Sequence, residues 1–213
     1  MFKLESVHFK DILNIESLTI NEKNITCIVG ESGAGKSTLL KLLNKMISPD
    51  EGTIYYYGKP LEAINSVKHR QSVVYLSQTP YIYEHTIKDN LLKAAFFHQI
   101  SLNDNDMEKA LKNVHLNKAL DTDASTLSGG EKQRLALARV MLLKTDVYLM
   151  DEPSSALDDD TEKQVIETIV NFVKEKHLSL IMITHSKEIA KRYADDMIVI
   201  SHGKVKRSES IGE

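Results

Sequence analysis

Gly30-Glu31-Ser32-Gly33-Ala34-Gly35-Lys36-Ser37-Thr38 decides how the chain must fold. Its spacing, G-x-x-x-x-G-K-[ST], is that of a P-loop. The apolar run Ile25-Thr26-Cys27-Ile28-Val29 before it predicts a buried strand. Leu39, Leu40, Leu42, Leu43 and Met46 after it predict a helix with one apolar side. Strand, glycine-rich loop, helix is the setting the motif requires. Lacking a Cβ, Gly30, Gly33 and Gly35 permit tight turns and close approaches. The N–H groups of the loop can then converge on phosphate oxygens at a helix start. Lys36 would place a point charge near the β- and γ-phosphates, and Ser37 would offer its hydroxyl to Mg²⁺. A glycine-rich turn that matches by chance is the competing reading, and the flanking strand and helix weigh against it. The motif points to a nucleoside triphosphate without saying what work is done.

The chain has 213 residues, enough for one large domain or a core with a small subdomain, and ample to bury a core. Its net charge is −3 with the charges mixed, and no polybasic stretch points to nucleic acid as a partner. The one cysteine, Cys27, reads as a small core residue, which suits a reducing compartment. No run approaches the roughly 18–20 apolar residues of a membrane span. Met1-Phe2-Lys3-Leu4-Glu5 lacks the regions of a signal peptide. The expectation is a soluble, cytoplasmic protein whose membrane role, if any, needs a separate chain.

Residues 1–20 predict two or three short strands, and Ser48-Pro49-Asp50-Glu51-Gly52 a turn. Thr53 to Tyr57 and Val73 to Ser77 predict strands. From Thr86 to about Leu143 the texture is helical, with Thr86 as a cap, a polar break at 103–106 and a third helix beginning near Ser128. Strands at 147–150, 178–183 and 197–201 alternate with helices carrying Val165, Ile166, Ile169, Val170 and Val173, and then Lys187 to Ala194. Arg207 to Glu213 reads as a fraying polar tail. Alternation of strands and helices implies an α/β fold with a mostly parallel sheet, whose ligands collect at the carboxyl ends of the strands. The P-loop, Gln78, Asp151-Glu152 and His185 each follow a strand, which suggests one composite site.

Val147-Tyr148-Leu149-Met150-Asp151-Glu152 is four apolar residues and two acids. Beside a P-loop, Asp151 is placed to support Mg²⁺ and Glu152 to orient or deprotonate the attacking water. Two acids capping a strand-to-helix turn is the plain alternative. Gln78 could reach the metal or the water, and His185 could donate to the γ-phosphate. A polar loop residue and a structural histidine are their ordinary readings.

Leu127-Ser128-Gly129-Gly130-Glu131-Lys132-Gln133-Arg134 resembles the LSGGQ-type signature of ABC ATPases, here as LSGGE. Ser128 with the N–H groups of Gly129 and Gly130 would open a helix and make a second anion-binding end. The resemblance covers nearly the whole chain. It implies a P-loop NTPase core with an N-terminal antiparallel β subdomain and an inserted α-helical subdomain. The core would span about 1–78 and 144–213, and the helical part about 79–143. It also implies that the signature of one copy, including Glu131, closes over the ATP held by the P-loop of another. Ser155-Ala156-Leu157-Asp158 looks like the family's D-loop, His185 its switch histidine and Gln78 its Q-loop residue. Phe9 is the candidate for the aromatic that stacks on adenine, although the family more often uses Tyr and the loop after Phe9 is short, and a plain core residue is an equal alternative. The segment 78–84 would help receive a membrane subunit, with Tyr81, Ile82 and Tyr83 partly exposed, and packing of these side chains against the helical subdomain is the competing reading.

The resemblance therefore implies the ATPase subunit of a membrane transporter. It would bind ATP and Mg²⁺, act as an ATP-dependent homodimer, and sit on the inner face of the membrane through an integral partner. The compact length, the Gln78-Thr79-Pro80 segment and LSGGEKQR look similar to small bacterial ATPases of metal or iron export, and several importer and lipoprotein-release ATPases share most of these features. A machine acting on DNA or ribosomes is the first competitor. Lys36 and Ser128 are only 92 positions apart, without the heptads of a long coiled coil. A nucleotide-gated scaffold is another, which Glu152 and His185 argue against. A third is an ATPase pulling on a non-transport complex.

Overall fold

The computed structural model describes residues 1–211, so Gly212 and Glu213, the end of the tail read as fraying, lie outside the described residues. The strands β1 (Phe2–Phe9), β2 (Leu13–Ile20) and β3 (Ile25–Val29) precede α1 (Lys36–Leu43). Then come β4 (Glu51–Tyr56), β5 (Lys59–Pro60), α2 (Ser66–Ser72) and β6 (Val73–Leu76). Helices α3 (Ile87–Phe97), α4 (Asp104–Asn113) and α5 (Gly129–Met141) follow. The chain closes with β7 (Val147–Asp151), α6 (Asp159–Glu175), β8 (Ser179–Ile183), α7 (Lys187–Tyr193), β9 (Asp196–Ser201) and β10 (Lys204–Ser210). It divides into two units: Met1–Tyr75, Asp146–Glu152 and Val173 onward in the first, Leu76–Thr145 and Pro153–Phe172 in the second.

Two sheets build the first unit. One is antiparallel in the order β2-β1-β4-β5, the other runs β10-β9-β3-β8-β7-β6. Alternation sets the register of the first: Phe2 and Leu4 are buried around exposed Lys3, and they pair with Ile20 and Leu18 of β2. A one-residue slip would turn that apolar set to water. In the second sheet β3, β8 and β7 are parallel neighbours, and every residue of β7 and β8 is buried. Continuous apolar strands are what a parallel sheet covered on both faces demands. The faces of both sheets and α1 share one core through Phe2, Leu18, Ile28, Leu39, Leu149 and Ile183. Each such side chain contributes about 1.5–3 kcal/mol on leaving water.

In the second unit three helices begin with reciprocal capping boxes, Thr86 with Asp89, Asn103 with Asp106 and Ser128 with Glu131. Each satisfies two backbone donors that the first turn leaves unbonded. The polar stretch 103–106, read as a break, is therefore the first turn of α4.

Several expectations are corrected. Met46 is 53% exposed and lies beyond α1, because Lys45 adopts φ 57° and reverses the chain. The 207–210 part of the tail is the edge strand β10, with Ser208 opposite Ile198 and the Ser210 hydroxyl donating to Asp196 Oδ1 at 2.7 Å. The short helix α2 was not anticipated. Its Asn65 cap accepts from the N–H groups of Val67 and Lys68, and its His69 is buried.

His69 Nε2 lies 2.7 Å from Leu43 O, the last carbonyl of α1, so Nε2 carries the hydrogen and donates. Its Nδ1 is buried and has no hydrogen-bond partner among the described residues. Burial pushes the imidazole below its usual 6.5, with Lys45 and Arg70 adding to the effect against the bond to Leu43. The unfolded chain therefore binds the proton more readily, and the contribution of His69 to stability is lost as pH falls from about 6.5 through the folded value. His69→Gln is expected to lose melting temperature less steeply than wild type between neutral pH and pH 5.5. Parallel melting curves would exclude His69 as a source of acid sensitivity.

Candidate functional site

The P-loop leaves β3 and turns into α1, whose cap is Gly35 in the left-handed region at φ 97°. A Cβ on Gly30 would lie 2.0 Å from the carbonyl oxygen of Ile200 in β9, so a side chain there is excluded by backbone. Glu31, Ser32 and Gly33 are exposed, Ala34 is buried, and Thr38 is half-buried in the first turn of α1. The Lys36 ammonium is folded onto the loop, donating to Gly30 O and Glu31 O at 2.8 Å each.

The strand order brings the other polar elements alongside. β8 lies between β3 and β7, and all three run parallel. The P-loop, Thr184-His185 and Asp151-Glu152 thus share one sheet edge. Ser37 Oγ donates to Asp151 Oδ1 at 3.1 Å. Tyr75 of β6 donates its hydroxyl to Asp151 Oδ2 at 2.9 Å. Burial and then the Asp151 carboxylate push the Tyr75 phenol well above its ordinary value, so it stays a donor. A hydroxyl beside a carboxylate is a hard oxygen pair that suits Mg²⁺, which takes one or two carboxylates and completes its shell with phosphate and water.

Glu152 follows Asp151 with φ 49°, an uncommon conformation for a residue with a side chain, and its N–H donates to Ile183 O at 3.2 Å. The carboxylate is thereby turned toward the end of β8, where Oε1 stands 2.7 Å from His185 Nε2. An ionised carboxylate only accepts, so the imidazole donates. His185 is exposed while Glu152 is half-buried.

Phe9 ends β1 opposite Leu13, packs against the core, and carries Lys10 Nζ 5.3 Å from its ring centroid.

The remaining candidates belong to the second unit. Gln78 is exposed two residues beyond β6. Ser128 caps α5, its Oγ accepting from the N–H of Glu131, while Glu131 Oε2 accepts from the N–H of Ser128 at 2.9 Å. That N–H, and then Lys118, hold the Glu131 carboxyl below its usual range. Gly129 is exposed at the helix start, and a Cβ there would meet nothing within 4 Å among the described residues. Gly130 faces Ala156 O, at 3.1 Å from a Cβ. Asp158 Oδ1 accepts from the N–H of Thr161 at 3.0 Å, which holds that carboxyl below its ordinary value.

Two residues were missed. Tyr75 is one, and the signal was a phenol in the otherwise apolar strand Val73-Val74-Tyr75-Leu76, since a partly buried hydroxyl wants a partner. Buried Gln133 is the other: its Oε1 accepts from the N–H of Ala156 at 3.0 Å and ties the signature helix to the segment before α6.

A family model described as ABC transporter matches residues 13–155. The phosphonates import ATP-binding protein PhnC of Fusobacterium nucleatum is 33% identical over an alignment of 223 positions, which covers 96% of this chain and 90% of that protein. The lactococcin-A transport/processing ATP-binding protein LcnC of Lactococcus lactis is 37% identical over an alignment of 216 positions, which covers 94% of this chain but 28% of that larger protein. A dimeric ATP-binding cassette in a post-hydrolysis state, bound to ADP and Pi, superposes over 100% of both chains with TM-score 0.88 and 24% identity, a likeness of fold. A bacterial Atm1-family ABC exporter with ATP bound gives TM-score 0.89 and 27% identity over 99% of this chain and 39% of that chain.

Proposed function

This chain belongs to the ABC transporter family and is an ATPase, and from that premise we propose that two copies close head to tail around ATP to power a membrane transporter. One observation carries the reading. Each of the two units presents its own phosphate-receptive helix start, α1 with Lys36 in one and α5 with Ser128 and Gly129 in the other. A single nucleotide site would not need both. In the proposed dimer the P-loop of one copy and the signature of the other grip the same triphosphate.

Lys36 then trades its two loop carbonyls for phosphate oxygens. Ser37 and Asp151, with Gln78, are the residues we propose for Mg²⁺, which when bound neutralises charge on the β- and γ-phosphates. Glu152 takes the proton of the attacking water, and His185 holds the carboxylate in place. Phe9 is proposed to lie against the adenine, and Asp158 to border the second copy. Closure excludes water, and loss of the γ-phosphate contacts reopens the pair.

The transporter partner is proposed to dock on 81–83, a reading supported by Tyr81 at 70% exposure. It would hold the chain at the cytoplasmic face of the membrane. Among the described residues no helix is long and apolar enough to cross a membrane. The inserted helical subdomain is proposed to span about 79–143. A metal ion such as iron is the cargo we propose, on sequence resemblance alone.

Gly129→Asp tests the dimer. The position has room for a side chain, and an acid in the first turn of a helix is tolerated by its dipole. The fold is therefore expected to persist while anions are repelled. The variant should bind ATP as a monomer with unchanged affinity and fail to dimerise in ATP on sizing chromatography. Equal loss of monomer affinity would assign the signature to its own chain's nucleotide.

A further inference from the structure

Asp151 is 3% exposed, and both of its carboxylate oxygens are engaged within the first unit. Ser37 donates to Oδ1 at 3.1 Å, and Tyr75 donates to Oδ2 at 2.9 Å. The two donors come from different elements, the start of α1 and the strand β6. A carboxylate held at one oxygen can swing about its Cβ–Cγ bond, because that torsion is soft. A carboxylate held at both has a fixed plane. Tyr75 itself is fixed by its strand and packs against the core, so its hydroxyl is a rigid anchor.

We propose that Tyr75 is a positioning residue for the divalent cation: it fixes the plane of the Asp151 carboxylate so that Oδ1 stays against the Ser37 hydroxyl. The inference rests on the reading of Ser37 and Asp151 as the pair that holds the cation. It predicts that a phenol which touches neither nucleotide nor cation governs how much Mg²⁺ the protein needs. Hydrogen-bond partners behind a metal-holding side chain commonly set its affinity in this way.

The variant is Tyr75→Phe, which keeps the ring and its packing and removes one hydroxyl. Binding of a fluorescent ATP analogue is titrated in Mg²⁺ and again in EDTA. The expected result is an affinity lowered about tenfold in Mg²⁺ and unchanged in EDTA. The Mg²⁺ concentration for half-maximal turnover should rise by a similar factor, with kcat at saturating Mg²⁺ within about twofold of wild type. A melting curve without ligand checks the fold, and the stabilisation by Mg²⁺ and nucleotide should shrink while the ligand-free value holds. Superimposed Mg²⁺ curves would overturn the inference, and so would an equal loss in Mg²⁺ and EDTA, which marks a structural role alone. If wild-type affinity itself ignores Mg²⁺, the Ser37–Asp151 assignment fails instead.

Discussion

Glu152→Gln is expected to keep ATP affinity near wild type, to lose between about 10² and 10⁴-fold in turnover, and to accumulate as an ATP-bound dimer. The substitution is nearly isosteric. The backbone at φ 49° and its bond to Ile183 O are untouched. The amide oxygen of glutamine can still accept from His185 Nε2, now 2.7 Å from Glu152 Oε1. What glutamine cannot do is take a proton. The loss therefore reports on proton transfer, with the fold and the P-loop held constant. The measurement is steady-state phosphate release beside sizing chromatography in ATP. Turnover within a factor of a few of wild type would remove Glu152 from the proposed role.

Lys36→Ala is the second large effect. A charged hydrogen bond is worth about 1.5–3 kcal/mol, so triphosphate affinity should fall about 10- to 100-fold. The ammonium belongs to a residue only 6% exposed and is satisfied by two main-chain carbonyls at 2.8 Å. Phosphate must therefore outcompete carbonyl oxygens, which a dianionic group does readily. Adenosine, which lacks phosphate, should bind both forms alike. Unchanged ATP affinity in a calorimetric titration would refute the placement of the triphosphate at this loop.

The elements that build the candidate site were legible because their signals are local. β3, β7 and β8 are short apolar runs closed by polar residues, and α5 opens on a capping box written in consecutive letters. What stayed hidden depends on partners far along the chain. β10 is polar because it is an edge strand with mostly exposed side chains, held by pairing with β9. α2 buries only His69, too little for an apolar period to show. Tyr75 and Asp151 are 76 residues apart, and only the sheet order that puts β6 beside β7 brings them together. Likewise the pairing of Ser37 with Asp151 needs α1 to reach past β8 to the next strand.

The glycines of the P-loop will not report the same thing when mutated. Gly30 lies against the Ile200 carbonyl, so an alanine there breaks a joint between the loop and β9 before any nucleotide arrives. Inactivity in such a variant would be mute about phosphate. Gly33 adopts φ 77° with nothing within 4 Å of a would-be Cβ. An asparagine, which tolerates that conformation, would leave the scaffold alone and obstruct only an incoming ligand. Of these two glycines, the exposed one is the informative probe, and the half-buried one measures how firmly the loop is riveted to the sheet.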